Sequence, residues 1–466
     1  MSSLVLPRTW WSECRTTVRL AIPLIVGQLS QMLMGLTDTL MIGWVGVSEL
    51  AASAFANNLL YLPLMFGIGM SAAVSVRVSQ ARGRQDPDGA GEALRHGFHI
   101  TMVLGVITVV GALGLLPLLD LFRQDPAVIE HVPVYFVLVA VSMIPAMGAM
   151  AVKNHADGMN RPWPVFWITF GGVMLNVVLN WLFIFGRAGC PALGLEGAGL
   201  ATLLARLVTL WAMLAWCRQD AGLRAWIPRH WFRRPDRTAI RDLLKIGFPT
   251  SMQLLAEVSA FVMATLIIGG MGAESLAAHQ VAISCAATVF MVPLGISMAL
   301  TVRVGEAWGA RQLARLRPII LSGWALATAF TLLSATSFVL FNEAIAGLFL
   351  SEGQGANVAA ALLLVAAAFQ FCDALQIVAV GGLRGMNDVK VPAWIAFGAY
   401  WVVSLPLGCW FAFRLDLGVS GMWWGITVGL TLTAIAFGGR LLRRTRQGWD
   451  QVPKVFEGQS RVPTGA

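Results

Sequence analysis

The sequence predicts an all-α membrane protein: twelve transmembrane helices in two pseudo-symmetric six-helix lobes around a central cavity. Composition, the spacing of apolar runs and an internal repeat carry that expectation. Of 466 residues, 57% are hydrophobic and only 12% charged, and mean hydropathy is +0.72. A typical soluble domain has about a quarter of its residues charged. A chain this long with so few charges cannot clothe a water-facing surface. Only helices satisfy every backbone group in long segments buried in lipid.

Runs of about 20 apolar residues, enough to cross a bilayer, lie near residues 16–42, 50–76, 96–119, 131–152, 163–186, 195–217, 246–270, 276–302, 318–341, 356–382, 391–413 and 419–439. Lys and Arg orient them by the positive-inside rule. With both termini cytoplasmic, 29 of the 33 basic residues face the cytoplasm; Arg123, Arg187 and Arg414 fall outside, and Arg206 lies within a span. The net charge of +9 is therefore a topology signal, and no nucleic-acid partner is expected. The start of the chain is polar and basic, so no cleavable signal peptide is expected. A multi-pass protein of a bacterial inner (plasma) membrane follows, with the lipid bilayer as its surroundings and a monomer as its expected state. The six cysteines show neither CxxC pairing nor metal-ligand spacing, and most read as small buried hydrophobes. Interfacial anchoring is the expected role of Trp10, Trp11, Trp231 and Trp308.

The chain divides into an N-terminal lobe over 1–217, a basic inter-lobe loop over 218–245, a C-terminal lobe over 246–440 and a cytoplasmic tail over 441–466. The halves repeat. A shift of 226 residues aligns Pro23–Gly83 with Pro249–Gly309 at 20 of 61 positions, including Val76-Arg77-Val78 with Val302-Arg303-Val304. Later, Gly158-Met159-Asn160 matches Gly385-Met386-Asn387. Six spans is an even number, so both halves share one orientation and the repeat is parallel. Two facing lobes that rock about a shared cavity describe a secondary transporter. No GxxxxGK[ST], HExxH or GxSxG occurs, so neither ATP hydrolysis nor an enzyme active site is expected. No cofactor is expected either, and an ion gradient must supply the energy.

Asp38, Glu257, Asp373 and Arg206 are the ionisable residues within spans, and intramembrane charges mark functional sites. At about 1.5 Å per residue, Asp38 lies roughly 28 Å beyond Arg19, and Asn180 the same distance beyond Arg161. Asn176 sits one turn before Asn180, and Thr202 enters its span at a similar level. A carboxylate with amide and hydroxyl oxygens suits a partly dehydrated cation, and equally a proton. Glu257 and Asp373 fall near mid-depth in the second lobe. Two carboxylates at one level repel unless a proton or a cation sits between them, and a cationic substrate can compete for the same charges. Arg206 has no partner that spacing identifies, and His279 reads as packing.

LAIPLIVGQLSQMLMGLTDTLMIG around Asp38, LAAHQVAISCAATVFMVPLGISMALTVRVG in span 8 and FCDALQIVAVGGLRGMND around Asp373 resemble the multidrug and toxic compound extrusion (MATE) transporters of the NorM-like branch. The Glu257 segment PTSMQLLAEVSAF and the span 5 motif LNVVLNW fit the same pattern, and the resemblance covers all twelve spans. It implies multidrug efflux: antiport of organic cations and other amphiphilic drugs against Na⁺ or H⁺. It links Glu257 and Asp373 to cation and substrate binding in the second lobe. It links Asp38, Asn176, Asn180 and Thr202 to a cation or proton site in the first, and Pro23 to a bend in the first helix. A lipid-linked precursor flippase of the wider superfamily would want cationic residues lining the cavity. An integral membrane enzyme would want paired catalytic groups near a membrane face. The acidic intramembrane charge favours neither.

Overall fold

The computed structural model describes residues 10–122, 124–231, 233–350 and 353–446. Arg8, Arg123 and the basic residues beyond Arg446 lie outside them. The described chain is helical throughout, with twelve helices long and apolar enough to cross a membrane. They are α1 (Trp10–Gly43), α2 (Val47–Gly83), α3 (Pro87–Leu115), α4 (Val132–Gly158), α5 (Pro162–Phe185) and α6 (Gly194–Gln219). In the second half follow α7 (Arg237–Gly269), α8 (Ala273–Gly309), α9 (Leu316–Phe349), α10 (Gln354–Gly385), α11 (Lys390–Arg414) and α12 (Gly418–Arg446).

Several helices begin or end beyond the apolar runs. Arg95 is buried inside α3, where hydropathy alone placed a loop. The segment read as an inter-lobe loop up to residue 245 turns helical at Arg237, because the Asp236 side chain accepts the Thr238 N–H and caps α7. Helix caps satisfy orphan backbone donors whatever the hydropathy of the residues that follow, so charged first turns are invisible to an apolar-run count. Pro23 is buried within α1, which runs unbroken past it. Trp10 and Trp11 are exposed as anchors should be. Trp308 instead packs against the second-lobe core, and Trp231 meets Phe98 edge-on at 5.3 Å.

α1–α6 and α7–α12 form the two lobes, which meet where α2 packs along α7 and crosses α8. There the repeat becomes geometry. A Cβ on Gly83 would stand 2.1 Å from the Glu306 carbonyl oxygen, and one on Gly309 would stand 2.1 Å from the Gln80 carbonyl oxygen. Gly83 and Gly309 are repeat partners, and so are Gln80 and Glu306. Each lobe thus offers the same glycine to the same backbone position of the other. Around the crossing, Gln80 Nε2 donates to the Gly385 carbonyl at 2.8 Å and Asn387 Nδ2 donates to Gln80 Oε1 at 3.2 Å. The Asn160 amide sits between Glu306 and Arg82. Asn160 and Asn387, another repeat pair, both adopt the left-handed conformation just past a helix end (φ 61° and 62°), a place asparagine tolerates.

Ion pairs reinforce the same end. Arg77 meets Asp242 at 2.6 Å, and its repeat partner Arg303 pairs with Glu13. Both arginines come from the repeated VRV triplet and reach into the opposite lobe. Arg303 and Glu13 are buried, and Arg303 also donates to the Glu13 carbonyl at 2.9 Å. Further along, Ser251 Oγ donates to the Phe66 carbonyl at 2.8 Å. The lobes are therefore latched at the end carrying the basic loops.

Candidate functional site: two carboxylate clusters

In the second lobe, α7 supplies Glu257 and α10 supplies Asp373 and Gln376. Asp373 and Gln376 lie three residues apart and so share a helix face. Gln376 Nε2 donates to Glu257 Oε1 at 3.1 Å and to Asp373 Oδ1 at 3.3 Å. All three side chains are buried, and Gln376 Oε1 has no hydrogen-bond partner. One neutral amide thus stands between two carboxylates at one depth.

α11 closes this cluster through an unusual stretch. Residues Gly398–Ser404 wind as a π-helix between two α-helical segments, a widened turn often found at functional positions. It sends Trp401 Nε1 to the Ala256 carbonyl at 3.1 Å, next to Glu257. The buried Tyr400 hydroxyl lies beside Glu257 and Thr433. Arg384, also on α10, interacts electrostatically with Glu257.

In the first lobe the four residues expected at one level come together. Asn180 Nδ2 donates to Asp38 Oδ1 at 2.6 Å and to Asn176 Oδ1 at 3.3 Å, while Asn176 Nδ2 donates to Thr202 Oγ1 at 3.4 Å. Asn176 and Asn180 are fully buried, and Asn180 Oδ1 is left without a partner. Arg206, one turn beyond Thr202 on α6, donates to Ser142 Oγ at 2.7 Å and interacts electrostatically with Asp38 and Tyr135. Tyr135 in turn accepts a hydrogen bond from Asn57 at 3.2 Å. His279 is a packing residue: it bonds Thr265 at 2.9 Å and accepts from Trp423 Nε1 at 3.1 Å.

The two clusters share a chemistry. Each has a carboxylate, buried in the second lobe and half-buried at Asp38 in the first, an amide that turns its N–H to it, and an amide oxygen left unpaired. Among the described residues, no three His, Cys, Asp or Glu side chains converge to hold a metal ion. Both clusters offer carboxylate plus neutral oxygens, a donor set of the kind hard cations take.

Sequence reasoning did not pick out Gln376, Tyr400, Glu13 or Arg303. Gln376 carried a usable signal, a polar residue one turn from Asp373 inside an apolar span. Tyr400 carried a weaker one, being one of three tyrosines in the chain. Arg303 stood in the repeated triplet, which marked it as framework but not as an inter-lobe contact.

Known proteins place the chain. The family model MatE matches twice, over residues 23–182 and 249–410; the two matches begin 226 residues apart, the offset of the internal repeat. A probable multidrug resistance protein NorM of Rhizobium meliloti is 32% identical over 444 residues, covering 94% of this chain and 95% of that protein. The corresponding protein of Bradyrhizobium diazoefficiens is 36% identical over 434 residues, covering 92% of each. Among solved structures, MATE in the straight conformation superposes with a TM-score of 0.85 at 22% identity, over 93% of this chain and 96% of that one. The eukaryotic MATE transporter AtDTX14 gives 0.84 at 16% identity, over 94% and 99%. These structures establish the fold, and the family matches and relatives establish descent: the chain belongs to the MatE family, whose members are transporters and not enzymes.

Proposed function

We propose that the protein is a secondary active multidrug efflux transporter, exchanging organic cations and other amphiphilic drugs for Na⁺ or H⁺ by alternating access. The observation that carries this reading is the buried Glu257–Gln376–Asp373 cluster. Two carboxylates held at one membrane depth by a neutral amide form a site that a cation completes. Buried charge of this kind is expensive in a membrane unless it has work to do. The names of the relatives, multidrug resistance proteins NorM, supply the substrate class. Glu257 and Asp373 bind the coupling ion and attract cationic substrate, while Asp38, Asn176, Asn180 and Thr202 form a second ion site in the first lobe.

With the basic end on the cytoplasmic side of a bacterial inner membrane, the α2/α8 latch closes the cavity to the cytoplasm. Loading from the cytoplasm then requires that latch to part, and release requires it to reform. Pro23, inside α1, leaves one carbonyl of that helix without its usual partner, a place where α1 can bend during the exchange. The protein acts as a monomer, because each lobe carries its own cluster within one chain.

Efflux of a cationic dye from energised everted membrane vesicles tests the reading, driven in turn by a sodium gradient and by a proton gradient. Gradient-dependent dye movement that follows expression of the protein is the expected result. No movement of any cationic dye under either gradient overturns it.

A further inference from the structure

Gln376 holds a position that a cation would compete for. Its amide nitrogen reaches both Glu257 and Asp373, so its two N–H groups occupy the space between the carboxylates. Its oxygen is fully buried and unpaired. A buried amide oxygen without a partner carries a desolvation penalty that a native structure seldom leaves uncompensated. The orientation itself has a clear cause. With no cation between the carboxylates, turning the amide oxygen toward them would set three acceptors against one another, whereas the N–H groups are donors.

A metal cation reverses that preference, because it repels the N–H groups and attracts oxygen. We propose that Gln376 is the switching ligand of the second-lobe site. Its amide rotates by half a turn when a metal ion enters, withdrawing both N–H groups and presenting Oε1 as a third oxygen beside Glu257 and Asp373. The Tyr400 hydroxyl, buried beside Glu257, lies within the same cluster. It is held there by the π-helical stretch whose next residue, Trp401, is bonded to the Ala256 carbonyl.

The switch makes Gln376 a residue that selects between coupling ions. A sodium ion needs several oxygen ligands after it sheds water, so it needs the amide oxygen. A proton needs one carboxylate oxygen and gains nothing from the rotation. Removing the amide should therefore weaken sodium and spare the proton. The inference rests on the antiport reading above but can fail independently of it.

The test compares Gln376→Leu, which keeps bulk and removes both polar atoms, with Gln376→Glu, which keeps oxygen and removes the N–H groups. Radioactive sodium binding is measured on the purified variants at fixed pH, and dye efflux is measured under sodium and proton gradients separately. Gln376→Leu should bind sodium roughly ten-fold more weakly or worse, the usual scale for losing one buried polar ligand. Its sodium-driven efflux should fall in step while proton-driven efflux stays near wild type. Gln376→Glu should keep a sodium response. Wild-type sodium affinity in Gln376→Leu overturns the proposal, as does equal loss of both driving forces, or a wild-type protein that binds no sodium and answers only to protons. In that last case cation-coupled efflux itself survives, whereas loss of dye efflux by the wild type under both gradients would remove the antiport reading. Should Gln376→Leu fail to fold, Gln376→Glu decides alone: retained sodium binding supports the oxygen's role, and lost binding overturns it.

Discussion

The reciprocal glycine crossing makes a sharp prediction about which arrangement of the lobes the protein prefers. In Gly83→Ala the new Cβ would lie 2.1 Å from the Glu306 carbonyl oxygen and 2.7 Å from the Ala310 nitrogen. In Gly309→Ala it would lie 2.1 Å from the Gln80 carbonyl oxygen and 2.8 Å from the adjoining carbon. These neighbours are backbone atoms, so no side-chain rotation relieves the clash. Carbon makes ordinary contacts at about 3.5–4.0 Å, so α2 and α8 must separate by more than about 1 Å. Overpacking of this kind costs about 1–3 kcal/mol per site. The two changes share one crossing, so they do not simply add. A combined figure of about 2 kcal/mol against the latched state corresponds to roughly 30-fold in its population relative to an unlatched one. Spin labels at Gln85 and Arg311, an exposed repeat pair just beyond the two glycines, read this directly in a background without the six native cysteines. The distance distribution in Gly83→Ala/Gly309→Ala should gain a longer component, and gradient-driven efflux should fall. Gly439→Ala, where a Cβ meets nothing within 4 Å, should do neither. An unchanged distribution in the double variant, with efflux at wild-type rate, would refute the idea that this crossing holds the lobes together.

Three further outcomes are expected. Glu257→Gln and Asp373→Asn should each abolish gradient-driven dye efflux while leaving expression and melting temperature near wild type; wild-type rates for both under both gradients would remove their coupling role. Asp38→Asn should be as damaging, whereas Asn180→Ala and Thr202→Ala should be partial, losing about 1–3 kcal/mol each. Poor detergent stability in all three would instead mark the cluster as structural. Glu13→Gln leaves the buried Arg303 without its carboxylate partner, a loss of about 3–5 kcal/mol for a buried pair; cysteine accessibility at the α2/α8 crossing should rise, and unchanged accessibility would show that the pair does not latch the lobes.

Much of the architecture was legible because membranes impose simple rules. Hydropathy located all twelve helices, since each had to present an apolar flank about one bilayer long. It misjudged ends such as Arg95 and Arg237, where caps and buried charges extend helices past the apolar stretch. The first-lobe residues could be grouped by counting from charged span ends, because helical rise is fixed, and the structure brings Asp38, Asn176, Asn180 and Thr202 into one bonded chain. Contacts between lobes were not legible. The VRV repeat announced common descent, but that its arginines cross to Asp242 and Glu13 depends on how two helices meet in three dimensions. Gln376 escaped for a related reason: its place one turn from Asp373 could be read along α10, but the second carboxylate, Glu257, comes to it from another helix.

The π-helical stretch in α11 sets that span apart from the other eleven. A π-turn stores one more backbone unit than the α-turn it replaces, so the two flanking segments of α11 run in different phases. A single wheel drawn through Lys390–Arg414 would therefore assign the wrong side to one of them. The extra unit also makes the helix sensitive to length in a way its neighbours are not. Losing one residue between Gly398 and Ser404 would let the stretch rewind as ordinary α-helix, with both flanks keeping their faces and the change falling on the residues of the widened turn itself. Tyr400 and Trp401 could not then both keep their places against Glu257 and Ala256. Relatives whose eleventh span differs by one residue in this stretch should therefore be compared with this chain by structure, since a gap-free alignment would equate residues about 100° apart around the helix.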